Sequence, residues 1–373
     1  ANVVAIAGLA WFLLTDAPLR APVADWSPTM IAVLAGSATL SIALQALVLV
    51  PSLRATGLRY RPVWGLRGSG LGSASRMAMW AFAAVVVGQG AYLVNSRVLT
   101  GALHAADAQG VEGAGLTAYA NAYLLFMLPH GLITVSLVTA LFTRLSHAAH
   151  DRDTAAVTAD LRRGMTLPAV VLIPATAIMV LLAPFVLAAI LPGTPRAATD
   201  ASVGVLVTMM LGLVPYGWFF LVQRAYYAYE DGRTPFLLQL LLTFVAVSVT
   251  LFGSTQPAEH VATWVGVGQT VSNVLGAVVG LTILRRRLGP LGLGAVVRQN
   301  VRLLVASGVG ALVAGAAAWL LGRSLGDGWL ASVVVVAVSG GLLVVLALAA
   351  ASRMRVAEVT AVLDPVTRRL RRA

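Results

Sequence analysis

The chain has 373 residues, of which 59% are hydrophobic and 11% charged, well below the roughly 25% charged residues of soluble domains, which excludes a soluble globular protein. Its basic residues are all arginine, 26 against 14 acidic residues for a net charge of +12. They lie between long apolar runs rather than on one solvated face, so nucleic acid is set aside as a partner, and the absence of cysteine excludes disulfides and thiol chemistry.

Runs of about 20 apolar residues, enough to cross a hydrocarbon core of about 30 Å, recur along the whole chain. They predict one partial span at residues 3–14 and nine full ones at 29–50, 75–94, 116–142, 167–191, 203–222, 235–253, 261–284, 301–321 and 329–351. Hydrocarbon cannot satisfy exposed backbone groups and the alternation of barrel strands is absent, so all ten are predicted as helices. The expected fold is an all-α, polytopic membrane helix bundle. The first run starts at Ala1 with no basic flank or cleavage pattern and reads as a helix joined part-way, so a longer protein is expected. Assigning alternate loops to opposite sides places 22 arginines on one face and leaves Arg20, Arg97, Arg196 and Arg323 for the other. Positive charge stays inside, which predicts a cytoplasmic C-terminus.

Two segments on the arginine-rich side look amphipathic. Residues 146–163 balance Asp151, Asp153 and Asp160 against Arg152, Arg162 and Arg163, as in an interfacial linker helix. In the tail, Val356, Val359, Leu363, Val366 and Leu370 recur at helical spacing beside Arg368, Arg369, Arg371 and Arg372. That tail reads either as a helix lying on an anionic leaflet or as a solvated stop-transfer segment.

Enzyme signatures are missing: there is no Walker loop, HExxH, nucleophile elbow or carboxylate pair at helical spacing. The acidic residues are expected in loops and tails, so the spans offer no acidic proton relay. The spans do carry uncharged polar groups: Gln89, Asn95 and Ser96, then Tyr119, Asn121, Tyr123 and His130, then Gln239, and finally Gln269, Ser272 and Asn273. Interhelical hydrogen bonding, about 0.6 kcal/mol each, accounts for most of them. Arg97 is the exception, because guanidinium is shaped for phosphate oxygens. It either snorkels to the interface or, with Gln89, Ser96 and Asn121, faces a cavity and binds an anionic headgroup. Pro129 should kink its helix and free carbonyls at a hinge, which His130 would satisfy. In the loop from Arg224 to Pro235, Asp231 is expected to pair with Arg233 or to cap the helix that starts near Pro235, tying two helices together at an inner gate.

Several of these patterns together resemble the MurJ/MviN family of lipid II flippases. The connector with Pro51, Arg54, Gly57, Arg59, Arg61 and Pro62 looks like the segment joining that family's two lobes. Leu128-Pro129-His130-Gly131 followed by Arg144-Leu145-Ser146 looks like its eighth span and exit. Tyr226-Tyr227-Ala228-Tyr229-Glu230-Asp231-Gly232-Arg233-Thr234-Pro235 resembles its Tyr-Ala-x-x-Asp-x-(Arg/Lys)-Thr-Pro loop. The resemblance implies that these ten helices correspond to spans five to fourteen of a fourteen-span, two-lobe flippase. Residues 1–51 would be a remnant of the first lobe, 52–74 the inter-lobe connector, 75–352 the second lobe with its terminal span pair, and 353–373 a basic tail. It implies a transporter in the bacterial plasma membrane, not an enzyme, that moves the polyisoprenoid-diphosphate precursor lipid II outward by alternating access. A multidrug or polysaccharide-precursor exporter of the same superfamily, or a membrane scaffold for cell-wall enzymes, are the alternatives. The implied partners are lipid II, membrane lipids and cell-wall synthesis proteins that dock on basic loops. No cofactor is implied, and the driving force, a coupling cation or the membrane potential, stays open. Ser96-Arg97 keeps the base and lacks the acid of the family's Asp-Arg pair in the seventh span.

Overall fold

The computed structural model describes residues 2–15, 26–55, 72–326, 328–356 and 358–360. Most of the connector and the tail positions Leu363, Val366, Leu370, Arg368, Arg369, Arg371 and Arg372 lie outside the described residues. Two compact units divide between Ser69 and Gly70. In the first, α1 (Asn2–Leu14) packs against α2 (Pro28–Ala55), and Phe12 is buried with its ring 5.2 Å from Trp11 and 6.0 Å from Trp26.

The second unit contains α3 (Gly72–Gln109), α4 (Leu116–Pro129), a π-helical turn (His130–Val135), α5 (Ser136–His150), α6 (Thr154–Thr166), α7 (Ala169–Leu181), α8 (Ala183–Ile190), α9 (Arg196–Leu211), α10 (Leu213–Ala228), α11 (Arg233–Gly253), α12 (Val261–Leu288), α13 (Leu293–Leu325) and α14 (Trp329–Arg353). No strand occurs among the described residues. Among the described residues, eight helices or continuous runs of helices are long and apolar enough to cross a membrane, nine when the bent pair α9–α10 is taken as one, and Val3–Leu14 adds a shorter apolar helix. That agrees with nine full spans and one partial span.

Three of the differences from the sequence expectation have an identifiable cause. The span predicted at 203–222 is two helices bent by 44° at Gly212. Pro215 donates no hydrogen bond back to Leu211, and α12 covers the break. The Thr270 hydroxyl donates to the carbonyl of Thr208, and the Asn273 amide donates to that of Gly212 at 3.5 Å. A Cβ at Gly212 would stand 2.6 Å from Thr270 Oγ1 and 3.0 Å from its Cα, so the approach of α12 requires glycine there. The span predicted at 167–191 is likewise broken at Leu182, ahead of Pro184. The third helix runs well past Val94, through Gly101, and ends where Gly110 turns left-handed at φ 68°.

Longer helices also move the acids. Asp107, Asp160 and Asp200 are helical rather than in loops. Asp160 is a buried carboxylate 3.0 Å from Arg144 and 3.5 Å from Arg163, which locks α5 to α6 at the arginine-rich end. The predicted linker helix appears as α6, started by the Asp153 side chain accepting from Ala156 N at 2.9 Å. At the start of the tail, Val356 and Val359 are buried against Ala169, Ile173, Leu303 and Ala306, so this part folds onto the bundle.

Candidate functional site

The face of α3 carrying Val85, Gly88, Gln89, Tyr92 and Asn95 repeats every three or four residues, the spacing of one helical side. It closes a cavity of about 500 Å³ with α4, α10, α11 and α12, within the size range of small-molecule sites, about 300–1,000 Å³. Polar groups come from every wall: Gln89 and Asn95, Tyr119 and Tyr123, Tyr216, Gln239 and Thr243, and Gln269, Ser272 and Asn273. Among the described residues no charged side chain lines it. The polar groups are partly tied together. Thr250 Oγ1 donates to Asn95 Oδ1 at 3.1 Å, joining α11 to α3, and Gln269 Nε2 donates to Asn273 Oδ1 at 3.1 Å along α12.

Aromatic rings lead from this cavity toward the arginine-rich end. Tyr119 stacks on Tyr123 at 6.2 Å, Tyr123 on Phe126 at 6.4 Å, and Phe126 meets Tyr216 at 5.4 Å. His130 follows, 4.5 Å from Tyr216 and edge-on to Phe220 at 5.3 Å, and the Arg224 guanidinium lies 4.8 Å over Phe220. Tyr216, Phe220 and Arg224 are spaced by four residues, so α10 shows them as one stripe. Pro129 breaks the α-helical ladder, and the six-residue π-turn that follows carries His130 and Thr134, both buried. His130 Nδ1 and Thr134 Oγ1 have no hydrogen-bond partner in the structure, so the histidine does not satisfy the freed carbonyls as expected.

At the arginine-rich end, Asp231 accepts from Thr234 N at 3.0 Å and from Thr234 Oγ1 at 2.9 Å, which caps α11. Its ion-pair partner is Arg287 of α12 at 3.2 Å, not Arg233. Arg287 also lies 4.9 Å over the Tyr229 ring. Burial pushes the Tyr229 phenol pKa up, against the opposing pull of Arg287. Gly232 leaves room for α3, since a Cβ there would meet Met77 Cγ and Trp80 Cβ at 3.2 Å. Trp80 in turn packs its ring 5.1 Å from Phe236.

Of the residues expected to bind substrate, only Gln89 lines the cavity; Arg97, Ser96 and Asn121 do not. Arg97 comes two residues after Asn95 and so stands about 200° round the helix from it. It is exposed and lines a separate groove of about 460 Å³ with Gly101, Gln109, Ser254, Gln256 and Pro257. The residues read as interhelical glue supply most of the cavity's polar wall instead. Tyr92 and Thr243 were missed, although Tyr92 follows Gln89 by three residues and Thr243 follows Gln239 by four, the spacing that puts each on its neighbour's face.

The sequence model of the family described as lipid II flippase MurJ matches residues 1–339. The chain belongs to the MurJ family. A probable lipid II flippase MurJ of Borreliella burgdorferi is 25% identical over 158 residues, 42% of this chain and 31% of that protein. A solved structure of a lipid II flippase MurJ in an inward closed conformation shares the fold, with a TM-score of 0.59 at 16% identity over 93% of this chain and 64% of its own. The chain thus spans less than two thirds of the length of the MurJ proteins it matches. Like them it is a helical, multi-pass membrane protein.

Proposed function

We infer that the chain takes part in moving lipid II across the bacterial plasma membrane, as a transporter and not an enzyme. The observation that carries this reading is family membership over residues 1–339. A polar cavity between spans, about 500 Å³ and walled by five helices, supports it. A polar headgroup crosses hydrocarbon only where protein surface replaces its hydration, while the polyisoprenoid tail stays in lipid. The arginine-rich end is cytoplasmic in this reading, and so is the C-terminus, since assigning alternate loops of the sequence to opposite sides puts 22 of the 26 arginines on that side. Bends at Gly212 and Leu182 and the π-turn after Pro129 are the places where helices can flex as the cavity changes access.

The test is translocation of fluorescent lipid II by the full-length protein in proteoliposomes. The reading expects labelled lipid to reach the far leaflet faster than in protein-free vesicles, and an equal rate overturns it. Orientation is checked separately by single-cysteine labelling, residues 1–373 having no cysteine of their own. In intact cells an impermeant maleimide should label Thr255→Cys and spare Arg286→Cys, both exposed positions; the reverse pattern overturns the orientation.

A further inference from the structure

We propose that this cavity is the subsite for an uncharged, hydroxyl- and amide-bearing sugar ring, and that its walls hold the sugar of the translocated lipid and not its phosphates; this rests on the flippase reading above. The first ground is charge. A diphosphate carries several negative charges, and enclosing them without a cation is prohibitive. Among the described residues no arginine or histidine lines the cavity, and Arg97 lies on another groove.

The second ground is what the walls do offer. Primary amides both donate and accept, which matches the alternating hydroxyl and acetamido groups of an N-acetylated sugar. Gln89, Gln239 and Gln269 project from α3, α11 and α12, so three walls each present one to a common space. An isoprenoid chain or another apolar guest would strand these amides and is disfavoured by the same energy. The aromatic faces of Tyr119 and Tyr123, stacked at 6.2 Å, form the α4 wall beside Tyr216 and Phe219 of α10, and apolar ring faces pack on the C–H face of a sugar. Gln269 Nε2 is engaged with Asn273 Oδ1 at 3.1 Å, but the other two amides are only loosely held within the protein: Gln239 Nε2 reaches Thr243 Oγ1 at 3.4 Å, and no hydrogen bond is made by Gln89 among the described residues. These two are available to a ligand at little cost.

The experiment compares binding of two probes to the full-length protein in nanodiscs: polyisoprenyl diphosphate alone, and the same lipid bearing an N-acetylated disaccharide. Sites built to hydrogen-bond a ligand reject analogues that lack the groups, so the sugar-bearing lipid should bind at least about tenfold more tightly. Gln239→Leu and Gln269→Leu, which keep volume and suit a membrane interior, should each shrink that preference about fivefold or more while changing affinity for the bare diphosphate less than about twofold. Tyr123→Leu, at a position 38% exposed, makes the same comparison if either glutamine variant folds poorly. Preference unchanged in the variants, or equal loss for both lipids, overturns the sugar subsite and leaves the flippase reading standing. Binding of neither lipid by the unaltered protein overturns both.

Discussion

Replacing Asp231 tests how the loop between α10 and α11 is held. Its carboxylate caps α11 through Thr234 N, accepts the Thr234 hydroxyl and meets Arg287 at 3.2 Å. Loss of a helix cap costs about 1 kcal/mol and loss of a hydrogen bond to a charged acceptor about 1.5 kcal/mol. The side chains of Arg287 and Asp231 are 44% and 24% exposed, so their ion pair adds only about 0.5 kcal/mol. Asp231→Ala should therefore destabilise by about 2–3 kcal/mol. Asp231→Asn keeps an amide oxygen able to cap and should cost about 1 kcal/mol, because only charge is lost. Unfolding of the full-length protein in mixed micelles measures both, and a cycle with Arg287→Gln isolates the pair, with an expected coupling of about 0.5 kcal/mol. Equal losses for the Ala and Asn variants would remove the cap from the account. Strict additivity of Asp231→Asn with Arg287→Gln would remove the ion pair.

Gly212→Ala forces a Cβ to 3.0 Å from the Thr270 Cα, so overpacking should cost about 1–3 kcal/mol and lower the thermal midpoint, whereas Gly341→Ala, with open space around it, should not; equal midpoints would contradict the close approach of α12. His130→Leu removes a buried nitrogen without a partner and should stabilise by about 1 kcal/mol, read as a raised midpoint; a lowered one would mean that Nδ1 is satisfied. Arg97→Ala, on its separate exposed groove, should leave lipid II translocation within about twofold of the unaltered protein; abolished transport by a normally folded variant would bring the groove into the binding of an anionic headgroup.

The spans were legible in the sequence because a bilayer imposes one dominant requirement, an apolar run of fixed minimum length, and composition alone satisfies or fails it. The Asp231 cap was legible too, since acid, threonine and proline at that spacing form a local device, and a local device needs no knowledge of distant partners. Its ion-pair partner was not. Arg287 and Arg233 are equally basic, and only the packing of α12 beside α10 and α11 brings Arg287 to 3.2 Å. Breaks inside the spans lay between these cases: Pro184 and Pro215 marked where a helix was weakened, but whether it bends depends on what packs over the break, at Gly212 the side chains of Thr270 and Asn273 from about 60 residues further on. The cavity was least legible. Tyr123, Gln239 and Gln269 each read as ordinary glue in its own helix, because the sequence gives every helix its faces but not the angle at which that face meets its neighbours. The same rotation about α3 that turns Asn95 inward carries Arg97 out to the other groove, so which of these two polar residues, two positions apart, reaches the cavity was decided by tertiary packing alone.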